Sequence, residues 1–248
     1  LYPNKEQELK LNKDLGCYRF VYNQMLALKQ QRYNEDKENV GIKELSHYFH
    51  NSLLKDENYD WLKEQNTKVL KQAIRQMLVA YKNFFELKRG FPQFKSKKDN
   101  QSALFPLEAI SKKNTFDTKH ITLTSGLKGL KFRCSNLQFN RLQKYKNKIR
   151  NATLLKTKTN KYFLSILVDF ADEEFKHFQH TNQRAGIDLG IKDFVITSDG
   201  EVFENKHFYK REEQTLRKLH KQLSKKQKGS RNRGKARLKL AKVYERIS

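Results

Sequence analysis

The chain has 248 residues, room for one large domain or two modest ones. Its 52 Lys and Arg stand against 27 Asp and Glu, a net charge of +25 whose self-repulsion calls for a polyanionic partner. Hydrophobic residues at 37% and aromatics at 12% exclude a disordered basic tail and mount the charge on a folded scaffold. No apolar run approaches the roughly 20 residues of a membrane span, and no secretory signal opens the chain. Cys17 and Cys134 lie too far apart in sequence for a paired-cysteine zinc site and are too few for a disulfide framework. The expectation is a reduced, cytoplasmic nucleic-acid-binding protein with no membrane partner. Because the chain opens at Leu1 rather than Met, an N-terminal piece is expected outside this sequence.

Taken in order, residues 5–34 have helical periodicity, with Leu11, Leu15, Tyr18, Tyr22 and Met25 at steps of three and four. A weaker helix is expected over 41–54. The strongest signal lies at 62–88, where Leu70, Ala73, Met77, Ala80, Phe84 and Leu87 form an apolar stripe, ended by Gly90 and Pro92. The opposite face carries Lys68, Gln72 and Arg75. Hairpins are predicted at 121–124 with 130–133, around Gly126 and Gly129, and at 153–158 with 161–169, turning at Asn160. In the last strand Tyr162, Leu164, Ile166 and Val168 share one face. A helical block therefore precedes, or is inserted in, a β-rich block of about 103–170, and residues 171–183 resemble a linker. Beyond it, Ala185–Leu189 is expected as a short buried strand, Phe194–Thr197 as a second, and Asp199–Gly200 as a tight turn. Two basic helices, 209–228 and 231–247, split at Gly229, with stripes of Leu216, Leu219, Leu223 and of Ala236, Leu240, Val243, Ile247.

The segment GIDLGIKDFVITSDGE concentrates the chemistry. Asp188 stands between Ile187 and Leu189, and a carboxylate on a core strand is costly unless paired or metal-bound. Two readings compete on the residues alone. One is an acid that caps backbone amides at a strand end. The other is a carboxylate that holds divalent cations for phosphodiester cleavage, for which Mg²⁺ is suited as a hard ion. The first phosphate loop of an actin/hexokinase-type ATPase also follows an apolar strand with Asp-x-Gly, but Ile191, Lys192 and Asp193 replace the small hydroxyl residues such a loop carries, and the net charge favours nucleic acid over a nucleotide.

Here a resemblance becomes specific. GIDLGIKDFVITSDG is similar to the first RuvC motif of the TnpB family, transposon-associated relatives of type V CRISPR nucleases. KKQKGSRNRGKARLKLAKVYERI resembles that family's basic connecting helices, LYPNKEQELKLNKDLGCYRFVYN its N-terminal segment, and QAIRQMLVAYKNFFELKRGFPQFKSKK its helix with a Gly-x-Pro-x-Phe-Lys signature. The motifs follow the family order along nearly the whole chain. The resemblance implies an α+β fold: a wedge-like β-barrel lobe over 1–183 with a helical recognition insertion at about 10–90, then the N-terminal part of an RNase H-like (RuvC) domain with basic bridging helices over 184–248. It implies an RNA-guided DNA endonuclease that cleaves double-stranded target DNA beside a short transposon-associated motif, with a transposon-derived guide RNA as partner; the oligomeric state stays open, a monomer being favoured. Asp188 would be its catalytic, Mg²⁺-binding acid. The family's second-motif Glu, zinc ribbon and third-motif Asp have no counterpart in these 248 residues, so zinc is not expected here and this segment alone is expected not to cut. A nuclease-inactive, guide-directed repressor is the alternative.

Candidate binding residues follow from chemistry. Lys68, Gln72 and Arg75 share a helix face from which Gln can bond adenine bidentately and Lys or Arg can reach guanine or phosphate. Tyr22 and Asn23 are further DNA candidates, although Tyr18 and Tyr22 also fit the core. The run Phe91, Pro92, Phe94, Lys95, Lys97 and Lys98 mixes aromatic and cationic side chains as RNA-contacting loops do. Arg231, Arg233, Lys235 and Arg237 suit the backbone of an RNA–DNA heteroduplex.

Overall fold

The structure is a computed structural model and describes residues 1–110, 119–124, 126–169 and 184–247. The linker expected at 171–183 lies outside them. The chain divides into two compact units, Leu1–Phe170 and Ala171–Ser248.

The first unit opens with α1 (Lys5–Asp36). Its start is fixed by a capping box: Asn4 Oδ1 accepts from Gln7 N at 2.8 Å, and Gln7 Oε1 accepts from Asn4 N at 3.0 Å. The expected stripe is the buried one, with Leu11, Leu15, Tyr18, Tyr22 and Met25 joined by Val21 and Leu26. The weaker helix resolves into α2 (Ile42–Tyr48) continuing as a π-helical turn, Phe49–Leu53. A 3₁₀ stretch, Glu57–Leu62, leads to α3 (Thr67–Leu87), whose N-terminal amides Lys68 N and Val69 N are capped by Asn66 Oδ1. The buried face of α3 is rotated from the expected one. Val69, Leu70, Ala73, Ile74, Met77 and Tyr81 are inside, while Phe84 is half-buried and Leu87 is 57% exposed. The helix ends at Lys88, which adopts a left-handed conformation (φ 49°), ahead of Gly90 and Pro92.

A three-stranded antiparallel sheet follows, in the order β1 (Gln101–Pro106), β4 (Ile149–Lys156), β5 (Tyr162–Val168). Its register pairs Ala103 with Leu154 and Phe105 with Ala152, so the alternation of each strand turns one apolar face toward α1 and α3 in a single core. The β4–β5 hairpin turns at Asn160, held at φ 63° as expected, and Tyr162, Leu164, Ile166 and Val168 face inward. β2 (His120–Ile121) and β3 (Leu130–Lys131) form a two-stranded ladder joined by a bridge from Tyr2 to Lys131. Helix α4 (Asn136–Lys144), absent from the sequence expectation, stands between β3 and β4. The architecture is α+β, but among the described residues the strands form open sheets of three and two strands rather than a closed barrel.

The second unit is a β-meander, β6 (Ile187–Asp188), β7 (Asp193–Thr197), β8 (Val202–Glu204), followed by α5 (Phe208–Ser224) and α6 (Arg231–Ile247). Gly200 (φ 82°) makes the expected turn between β7 and β8. The helices close on Leu216, Leu240 and Val243, flanked by Leu219, Leu223 and Ile247, as their stripes predict. Among the described residues no helix is long and apolar enough to cross a membrane.

Candidate nucleic-acid interface

Lys68 and Arg75 are exposed and Gln72 is half-buried on α3, opposite the stripe that binds the helix to the core. The core fixes the rotation of α3, and this fixes the spacing of the three donors along one open face. The geometry suits a helix presented to the edge of a duplex.

Tyr22 and Asn23 are placed otherwise. Tyr22 is 4% exposed, so its ring is a core group rather than a surface one. Asn23 donates from Nδ2 to Lys95 O at 3.0 Å and accepts at Oδ1 from Lys95 N at 2.8 Å. These two bonds clamp the chain after α3 onto α1. Lys95 lies with Nζ 4.1 Å from the Tyr22 ring centroid and 5.8 Å from that of Tyr18, and burial lowers its ammonium pKa from the ordinary value. Arg19 bonds Gln101, whose Nε2 donates to Ser96 O at 2.7 Å and Asp99 O at 2.9 Å. Lys95 is therefore an anchor of this strap. The strap leaves Phe94, Lys97 and Lys98 exposed on a backbone whose conformation is already fixed.

On the helical hairpin, Arg231, Lys235 and Arg237 are exposed. Arg233 is not free: its Nη1 donates to Leu223 O at 3.0 Å and Lys226 O at 2.6 Å, satisfying the carbonyls at the end of α5. Periodicity could not separate it from its neighbours. The signal lies in the turn that Gly229 (φ 88°) makes, which brings the start of α6 back to the end of α5.

Asp188 lies on β6, paired with Ile196 of β7, and is exposed, as are Ile187 and Leu189. The expectation of a buried strand is corrected: among the described residues β6 is a two-residue strand at the sheet edge, paired with β7. The glycine of the Asp-x-Gly step has a structural cause, since a Cβ on Gly190 would lie 2.9 Å from Asp193 O. Asn205 Nδ2 donates to Ile191 O at 2.9 Å and ties down the same loop. Asp193 begins β7 and Asp199 sits in the turn before Gly200. Among the described residues no three His, Cys, Asp or Glu side chains stand together to hold an ion.

Two family models match the chain: OrfB_IS605, described as "Probable transposase", over residues 165–248, and HTH_OrfB_IS605, "Helix-turn-helix domain", over residues 1–38. In this structure most of the second match is one uninterrupted helix, Lys5–Asp36. All 248 residues align at 30% identity with a Streptomyces pristinaespiralis protein named "Putative RNA-guided DNA endonuclease". They align at 25% with the Escherichia coli (strain K12) protein "Putative RNA-guided DNA endonuclease InsQ". The chain spans 58% of the length of each of these relatives. A third relative, "Virulence protein VsdF" of Salmonella dublin, is 34% identical over 106 residues, 39% of this chain and 88% of that protein. These matches agree with the order of motifs along the sequence, and the chain belongs to the TnpB family of transposon-associated proteins.

Proposed function

We propose that this chain is the nucleic-acid-binding portion, with the first acidic motif, of an RNA-guided DNA endonuclease. The observation that carries the reading is the α5–α6 hairpin. Residues 208–247 hold fifteen Lys and Arg against three Glu, a net +12, on two helices closed by only a narrow apolar seam. Charge of one sign at that density is unfavourable in isolation and is relieved by a phosphate backbone. In this reading the hairpin holds the guide–target heteroduplex through its backbone, and the Lys68, Gln72, Arg75 face reads a short DNA motif beside the target. The names of the two relatives that align with all 248 residues of this chain support the same assignment.

Asp188 is the acid we assign to a RuvC-like centre, with Mg²⁺ as the ion such a hard oxygen ligand favours. The further ligands must come from outside the described residues, and no residue of this chain is assigned to zinc. In a protein of the relatives' full length, loaded with guide RNA and given Mg²⁺ and matched DNA, Asp188→Ala should abolish cleavage and leave guide and target binding within about twofold, because binding rests on dispersed cations. The 248-residue chain should bind without cutting. Cleavage that survives Asp188→Ala overturns the catalytic assignment. A full-length protein that binds guide and target but cuts nothing would be the guide-directed repressor instead.

A further inference from the structure

The C-terminal end of α3 carries an aromatic cluster that joins Phe91 of the basic run to helix side chains, Phe85 among them, that the surfaces above leave unused. Lys88 takes the left-handed conformation and its amide donates to Asn83 O, so the chain doubles back over the last turn of the helix. Phe91 thereby packs edge-on against Tyr81, at 5.5 Å between centroids, and against Phe84, at 5.3 Å; Phe84 meets Phe85 at 5.0 Å. The inner ring is fixed: Tyr81 is buried, with Lys29 Nζ 5.2 Å from its centroid. The outer rings are uncovered, Phe85 at 73% exposure and Phe91 at 42%. Exposed aromatic surface of this kind, held rigid from beneath, marks a binding face.

The surrounding charge identifies the class of partner. Between residues 82 and 98 there are six Lys and Arg and one acid, Glu86, which pairs with Lys82 at 3.7 Å. Lys88 and Arg89, between Phe85 and Phe91 in the chain, are both exposed. A patch for an apolar protein partner has no need of a single-sign rim. Rings open on one face with cations alongside match a nucleotide strand: each base offers a π-face and each phosphate a negative charge. Only an unpaired strand can offer both, because in a duplex the π-faces are already stacked.

We propose that Phe85 and Phe91 form a stacking platform for unpaired bases of the guide RNA, with Lys88 and Arg89 holding the adjacent phosphates. This rests on the reading of the chain as an RNA-binding protein. The sequence contains one Trp, so the 248-residue chain carrying Trp61→Phe and Phe85→Trp places a single indole at the outermost ring. Oligouridylate RNA should quench its fluorescence, and a blunt RNA duplex at equal saturation should not. In the otherwise unsubstituted chain, Phe85→Ala should weaken oligouridylate binding about 5- to 100-fold, Phe85→Leu should be as weak, and Phe85→Tyr should restore affinity. Thermal unfolding, measured on the same samples, should be unchanged because this ring lies outside the core. Full affinity with Phe85→Leu would assign the patch to apolar packing and overturn the proposal. So would equal losses on single-stranded and duplex RNA, or a larger loss on oligothymidylate DNA than on RNA. In each of those outcomes the unsubstituted chain still binds RNA. If it binds no RNA at all, the functional reading fails together with the platform.

Discussion

Asp14 lies on the buried face of α1, where loss of hydration pushes its carboxyl up to about 6 despite Lys10 at 3.3 Å. Folding thus favours the protonated acid. Its contribution to stability is complete below the unfolded value near 3.8 and is lost as pH rises through about 6. Asp14→Asn, neutral at every pH, should stabilise the first unit at pH 8 by on the order of 2–3 kcal/mol relative to the parent, with the difference vanishing near pH 4. Thermal melts across that range check it, and a difference independent of pH would show that Asp14 is not the titrating group. Gln72 raises a separate question at the same scale. Its amide stands between Lys68 and Arg75 on the open face of α3 and can bond an adenine bidentately, so Gln72→Ala should relax preference at one base beside the target by about 1–3 kcal/mol. Binding to a library randomised in that flank reads the effect, and an unchanged preference removes α3 from the readout.

The α5–α6 hairpin is the element on which charge and packing conflict most. Its seam is three buried side chains, Leu216, Leu240 and Val243. Beside it stand the ion pair of Arg246 with Glu212 at 3.2 Å, a contact between His220 Nε2 and Tyr244 Oη at 2.8 Å, and the Arg233 bonds to Leu223 O and Lys226 O. Leu240→Ala removes the centre of that seam at a cost of at least about 2 kcal/mol. The helical circular dichroism of the second unit should fall while the melt of the first is unchanged, since its core shares no residue with the seam. Adding RNA should recover the lost helicity, because phosphates remove the repulsion that the seam opposes. A variant that keeps full helicity without RNA would mean that the hairpin is stabilised by something other than this seam.

For the whole molecule, a charge of +25 spread over both units predicts binding governed by counterion release. The logarithm of RNA affinity should fall linearly with the logarithm of salt, with a slope of about −5 or steeper, since each phosphate neutralised on a single strand contributes about −0.7. Titrations between low and physiological salt measure it. A nearly flat line would leave the charge without the role assigned to it.

The sequence by itself determined the long helices and the turns, because these depend on residues close in the chain; the short helix α4 was legible only in the structure. The Leu11 to Met25 stripe, the Asn160 turn and the Leu216 and Leu240 seam all lie where periodicity and turn chemistry put them. It also carried the motifs whose order marks the family. Tertiary structure decided which of the chemically suitable residues remain available. Tyr22, Asn23 and Lys95 have the side chains of a binding surface, yet one is buried and the other two clamp each other across 72 positions of sequence. Arg233 is used by the end of a neighbouring helix. The wide apolar arc of α3 allowed more than one rotation, and packing in the core selected the one that buries Ile74 and Tyr81 and leaves Phe85 and Leu87 outside. Asp188 is exposed because, among the described residues, β6 pairs with β7 alone, which no count of adjacent apolar residues reveals. Burial is a sum over partners distant in sequence, so a local pattern fixes the form of an element before it fixes which of its side chains meet solvent.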